Sequence, residues 1–197
     1  MTLSADSKSW PDLITYQALA KTDLSRHHLE KLIAAGKYER LAPGVFVHSG
    51  VTDDTTAAWM GIASRKPTAT VCLISAASIH DLTDEVPRAT DIAIPRGTHP
   101  MKIDYPPIIW HSFASNTFNI GRETYKLPGD MTIGMYSAAR TVIDLFKLRH
   151  DKGNDLAVEA LKRWLRTRAN KPSVLLDMAT HFPNVRPTIQ STLEILL

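Results

Sequence analysis

The sequence predicts an α+β protein in which a small N-terminal unit, residues 1–50, precedes a larger one, residues 51–197. Three observations predict it. Two short helical patterns and a glycine-turn ribbon follow one another over residues 14–47. Between residues 70 and 111 compact apolar runs alternate with Pro-rich turns, as extended backbone does. From residue 137 onward the apolar spacing becomes helical. A chain of 197 residues is long enough to bury a core in each unit.

In the N-terminal unit, Pro11 and Asp12 suit a helix start, Ile14, Tyr16, Ala18 and Leu19 carry the first helix, and Asp23 closes it. Ser25 is a good N-cap for a second helix. On that helix Leu29, Leu32, Ile33 and Gly36 share one side, His27, Lys31, Ala34 and Ala35 the other, and His28 and Glu30 flank the outer face. The segment from Tyr38 to Val47 reads as two brief strands around Pro43-Gly44. Helix, helix and ribbon in this order form a winged helix-turn-helix, whose natural partner is duplex DNA. The two alanines let backbone approach a groove floor, while longer polar side chains reach phosphates and base edges. The candidate DNA-contacting residues are Ser25, Arg26, His27, His28 and Lys31 on the helix, with Lys37 beyond it and Arg40 on the wing. The same pattern also occurs as an ordinary packing unit. His27 and His28 are adjacent, so they point to different sides of a helix and do not form a chelating pair.

Apolar residues thin out from Ser49 to Asp54, and the second unit begins there with a helix capped between Asp53 and Thr55 and carrying Ala57, Trp59, Met60 and Ile62. Residues 70–74 read as a compact strand ending at Ser75, which is expected to cap a short helix through His80. Residues 91–94 and 108–111 read as further strands. Helices are expected over 137–148, 154–165, 171–180 and 185–196, broken by Gly153, Pro172, Pro183 and Pro187. The expected architecture is therefore a winged helix-turn-helix, then a mixed-sheet domain with a helical C-terminal part.

Composition narrows the function. The net charge of +3 permits nucleic-acid binding without demanding it. Cys72 is the single cysteine and sits in an apolar run, so no disulfide framework exists, and buried filler is its expected role in a reducing, cytoplasmic setting. The start Met1-Thr2-Leu3-Ser4-Ala5-Asp6 has no export-signal pattern, and no run of 18 apolar residues occurs, so no membrane partner is expected.

No catalytic group stands out. A hydrolase serine belongs on an elbow between glycines, whereas Ser75 has Ile74 and Ala76 beside it; Ser75 is better read as a cap, and His80 as a packed or helix-end residue near Asp81. Asp91 lacks the Glu-x-Lys partner of a metal-dependent nuclease, and the segment from Gly129 to Gly134 lacks the Lys-Ser/Thr ending of a phosphate loop. Arg140 and Asp144 lie four apart, the spacing of an ion pair that anchors a helix. Neither a catalytic residue, a metal site nor a cofactor is expected. On the helix over 154–165, Ala157, Ala160, Leu161, Trp164 and Leu165 form an inward stripe while Lys162, Arg163 and Arg166 project outward. Within 162–171 there are five cations and no acid, a possible second basic patch for phosphates or for an acidic partner surface.

Four blocks, taken together, carry a family resemblance. They are Leu29-Glu30-Lys31-Leu32-Ile33-Ala34-Ala35-Gly36 followed by Arg40-Leu41-Ala42-Pro43-Gly44-Val45-Phe46; Cys72-Leu73-Ile74-Ser75-Ala76-Ala77-Ser78-Ile79-His80-Asp81-Leu82; Ile92-Ala93-Ile94-Pro95-Arg96-Gly97; and Ser137-Ala138-Ala139-Arg140-Thr141-Val142-Ile143-Asp144-Leu145. In order and spacing the chain resembles AbiEi-type antitoxins over about residues 12 to 195. The resemblance implies a bacterial autoregulatory repressor whose N-terminal unit binds inverted repeats in its own promoter, with residues 25–35 as the reading helix and 39–47 as the wing. It further implies a second unit that counteracts a nucleotidyltransferase-like toxin, in type IV fashion. Two alternatives stand beside this reading: a stand-alone winged-helix regulator, and a protein-interaction module without DNA binding.

Overall fold

A computed structural model describes residues 11–19, 25–42, 44–50, 53–103, 106–128 and 130–197. Met1 to Asp6, the expected helix close at Asp23, the turn residue Pro43, the boundary residues Val51 and Thr52, and Gly129 lie outside the described residues.

The first element is a strand, not the helix expected from Pro11 and Asp12. β1 (Leu13–Thr15) leads directly into a single helical turn, α1 (Tyr16–Leu19). Its three residues pair with a strand thirty residues away: Leu13 lies opposite Val47, Ile14 opposite Phe46 and Thr15 opposite Val45. A ladder of this kind outweighs local helix-start signals, because it supplies backbone hydrogen bonds and buries alternate side chains together. α2 (Arg26–Ala34) follows, then a hairpin of β2 (Tyr38–Ala42) and β3 (Val45–His48). The result is an antiparallel three-stranded sheet in the order β1-β3-β2.

Both faces of this sheet are covered. Ile14, Tyr38 and Phe46 pack with Leu19, Leu29 and Leu32 under α1 and α2. On the other face lies α3 (Asp54–Arg65), capped by Asp53, whose carboxylate accepts the Thr56 N–H at 2.9 Å. Gly61 brings α3 against the hairpin: a Cβ there would meet Leu41 Cδ2 at 2.5 Å and Val45 Cγ1 at 3.5 Å. Trp59, Met60 and Ile62 also join Val71, Ile92, Ile133 and Met135 of a second sheet in one cluster. Six consecutive residues, Ala57 to Ile62, are buried, as a helix held between two sheets requires.

The second sheet comprises β4 (Thr70–Val71), β5 (Thr90–Pro95), β6 (Ile108–Phe113), β7 (Arg122–Lys126) and β8 (Thr132–Tyr136), in the order β6-β5-β4-β8-β7. It is mixed: β4 is antiparallel to β5 and parallel to β8, β5 is parallel to β6, and β7 is antiparallel to β8. α4 (Leu73–Ile79) follows β4, and the single turn α5 (Ser115–Phe118) follows β6. The helical tail is α6 (Ala138–Lys147), α7 (Arg149–Lys152), α8 (Asn154–Arg166), α9 (Pro172–Ala179) and α10 (Arg186–Leu196). The expected inward residues Ala157, Ala160, Leu161 and Trp164 are buried with Val142, Ile143, Phe146, Leu175 and Ile189, and Leu165 packs against them.

Two expectations need correction. The strand over 70–74 stops at Val71, and Cys72, not Ser75, stands at the N-cap of α4. The Cys72 N–H donates to Asp91 O at 3.0 Å, and the chain turns through Leu73 at φ 48°, which sends Leu73, Ala76 and Ala77 into the interior. β7 and β8 have no counterpart in the sequence reading. β7 spells Arg-Glu-Thr-Tyr-Lys, a polar edge strand without an apolar alternation, and β8 carries Gly134 where the Arg122 guanidinium crosses it. Among the described residues no helix is long and apolar enough to cross a membrane.

Candidate nucleic-acid interface

α2 forms for the reasons its sequence states, with one exception. The Ser25 hydroxyl accepts the His28 N–H at 3.1 Å, closing the N-terminus, and Leu29 and Leu32 are buried with Ile33 packed beside them. Gly36 does not share that inward side. It is exposed at φ 69° and ends the helix: its N–H donates to Ile33 O and that of Lys37 to Leu32 O, both at 2.9 Å. The left-handed conformation favours glycine, which explains the residue without invoking packing.

The polar half of α2 is open. Ser25, Arg26, His27, His28, Glu30, Lys31, Ala34 and Ala35 are exposed, as are Lys37, Glu39 and Arg40. The first turn of α2 holds no acidic residue, yet begins Arg26-His27-His28 at the end where the helix dipole is positive. The Arg26 guanidinium lies over the Tyr16 ring, 4.9 Å from its centroid, and Tyr16 in turn tilts against Phe46. Arg40 stands opposite Phe46 on β2, and the register slips between Arg40 and Ala42.

The second basic patch is smaller than its sequence window implies. Lys162 and Arg166 are exposed, whereas Arg163 forks onto both carboxylate oxygens of Asp84, 79 positions away, and also reaches Glu159. The Asp84 carboxyl is held below the usual carboxylate range by its hydrogen bond and charge contact with Arg163. The Glu159–Arg163 spacing was a legible signal of pairing on one helix; Asp84 was not.

Ser75, His80 and Asp81 make hydrogen bonds that lead in different directions. The Ser75 hydroxyl accepts the Asp91 N–H at 2.9 Å, His80 Nε2 lies 2.8 Å from Tyr136 O, and Asp81 ends α4 in the left-handed region at φ 55°. The Asp91 carboxylate meets His111 Nε2 at 2.7 Å on the neighbouring strand. Cys72 is fully buried, and burial pushes its thiol well up, away from the reactive thiolate.

Arg140 and Asp144 form the ion pair that their spacing predicts, wholly buried, with Nε donating to Oδ2 at 3.0 Å. Arg140 Nη1 also donates to Thr117 O at 2.7 Å and Ile120 O at 2.6 Å, and the guanidinium lies between the Tyr136 and Phe182 rings, 4.3 and 4.5 Å from their centroids. Burial, partly offset by Arg140, pushes the Asp144 carboxyl up to about 6. This cluster ties α6 to α5, β8 and the segment before α10. Its groups face protein on all sides, as a structural anchor does.

Taken together, fold and surface define a mixed α+β protein of two sheets that carries an exposed, partly basic helix on its N-terminal unit. No protein-family model matches the chain, and no curated protein is significantly similar to it.

Proposed function

We propose that this chain is a DNA-binding repressor of the antitoxin type, whose N-terminal unit acts as a winged helix-turn-helix. The observation that carries the reading is the division of α2: its apolar half is buried under the three-stranded sheet, while Arg26, His27 and Lys31 face solvent beside the β2–β3 hairpin. A short capped helix with alanines on its outer face fits a major groove, and a tight hairpin carrying Arg40 fits the flanking backbone. Repression then follows from occlusion of the promoter, without a cofactor. Binding is favoured over catalysis because the Ser75 hydroxyl and the His80 ring are engaged with separate partners in the fold, the Asp91 N–H and Tyr136 O. The partner in the groove is double-stranded DNA of the chain's own upstream region, bearing inverted repeats. Antagonism of a nucleotidyltransferase-like toxin by residues 51–197 rests on the family resemblance alone.

The test is a gel shift with that upstream duplex at 50 and 200 mM salt, using the wild type and Lys31→Ala. Binding that weakens with salt, and weakens again in the variant by about 1–3 kcal/mol if Lys31 reads a base, supports the reading. A wild type that retards neither the upstream duplex nor an unrelated one removes it and leaves a protein-interaction module, a role that the exposed Glu30 and Glu39 would tolerate.

A further inference from the structure

A cleft of about 380 Å³ in the second unit is lined by Thr55 and Trp59 on α3, Ser78 and Ile79 on α4, residues 86–90, and Pro106 and Pro107 ahead of β6. Hydrogen bonds tie its walls to one another. The Ser75 hydroxyl accepts the Asp91 N–H at 2.9 Å, which holds the end of the 86–90 segment to α4. The Thr90 N–H donates to Pro107 O at 2.9 Å, which joins the same segment to the proline wall. Pro87, Pro106 and Pro107 have a fixed φ, so the opening is shaped before anything enters it. Arg88 is the one charged group among the described lining residues, and its guanidinium makes no hydrogen bond or ion pair among the described residues. The hydroxyls of Thr55, Ser78 and Thr90 are likewise uncommitted among the described residues. Ile79 is 43% exposed and Val86 86%, more than any other large apolar side chain among the described residues. Uncovered apolar surface beside one unpaired cation marks a place that meets a ligand.

We infer that this cleft is a binding site for a small carboxylic acid with an apolar body. Arg88 takes the carboxylate, and Ile79, Val86 and the prolines take the rest of the molecule. A guanidinium presents paired N–H donors in one plane, which match the two oxygens of a carboxylate. One cation without a second beside it suits a single negative charge, and so a carboxylate over a phosphate dianion. The apolar rim gives a hydrocarbon or aromatic body the contact that a free inorganic anion would not use. The uncommitted hydroxyls add hydrogen bonds to any further polar group on the ligand. The volume falls at the small end of the range for ligand sites, and a lining that is mostly apolar with a few polar groups is their usual make-up. The site lies in the second unit and stands whether or not α2 reads DNA.

The experiment titrates the full chain with benzoate by ligand-observed NMR, with benzyl alcohol as the uncharged body and inorganic phosphate as the charge without a body. The wild type should bind benzoate saturably, with a dissociation constant of roughly 1 mM or tighter. Benzyl alcohol and phosphate should each bind roughly tenfold or more weakly than benzoate. Arg88→Gln should weaken benzoate by a similar factor and leave benzyl alcohol unchanged, while Arg88→Lys, which keeps the charge and loses the planar fork, should fall between. Ile79→Asp, which sets a carboxylate on the rim, should also weaken benzoate. Arg88 and Ile79 are both exposed, so neither change disturbs the core, and circular dichroism checks that the variants are folded. Absence of saturable benzoate binding by the wild type, phosphate binding as tight as benzoate, or an unchanged benzoate affinity in Arg88→Gln overturns the inference.

Discussion

At the scale of single residues, the Arg140–Asp144 pair is the interaction with most at stake. Both side chains are out of water, so the attraction between them is set against the loss of two hydration shells, and removing one partner alone strands the other. Arg140→Met should therefore lower stability at neutral pH by about 3–5 kcal/mol in urea unfolding. The double variant Arg140→Met with Asp144→Leu should recover most of it, since neither charge is then left behind. The Asp144 pKa of about 6 lies above its ordinary 3.8, so the folded chain holds this proton more tightly than the unfolded chain. Its stabilising contribution is whole below pH 3.8 and is lost as pH rises through 6. The deficit of Arg140→Met should accordingly shrink on acidification, as the stranded carboxylate takes up a proton; a deficit independent of pH between 4 and 7 would show that Asp144 does not titrate there. The spacing of four was legible in the sequence. The carbonyls of Thr117 and Ile120 and the rings of Tyr136 and Phe182, which complete the cluster, come from parts of the chain that no local pattern connects to α6.

At the scale of elements, two helices end by the same device with different residues. α2 ends at Gly36 in the left-handed region, and α4 ends at Asp81 in that region, with the Asp81 N–H donating to Ser78 O and that of Leu82 to Ala77 O. Glycine occupies this conformation freely, whereas other residues pay about 1 kcal/mol or more. Asp81→Gly should raise stability by roughly 0.5–1 kcal/mol, seen as a rise of about 2–4 °C in thermal midpoint per kcal/mol, and no rise would mean that the aspartate side chain compensates locally. The Gly36 position was readable as a helix neighbour but not as its end, because an apolar-face count does not register backbone conformation. The sequence predicts helix at β1 for a related reason: capping signals act over one turn, whereas its ladder with β3 joins residues 30 to 34 apart. β7 and β8 escaped because an edge strand of charged residues and a strand with a central glycine both lack the alternation that marks a half-buried strand.

At the scale of the whole molecule, α3 is the shared layer between the two sheets, and Gly61 sets how closely the hairpin approaches it. Gly61→Leu should overpack this seam and cost about 1–3 kcal/mol or more in chemical denaturation, and Leu41→Ala in the same chain should return part of that loss. Strictly additive effects would mean that the two positions do not share a seam. The amino-acid sequence by itself determined the helices of the tail, the cap and polar face of α2, the buried Cys72 and the pairing of Arg140 with Asp144, because each is written in spacings of a few residues. Only the tertiary structure decided that β1 is a strand, that Asp84 takes up the charge of Arg163, and that Trp59, Ile79 and Arg88 line one cleft. Those outcomes depend on groups brought together from distant parts of the chain, where hydrogen bonding and Coulomb energy are settled by position in space.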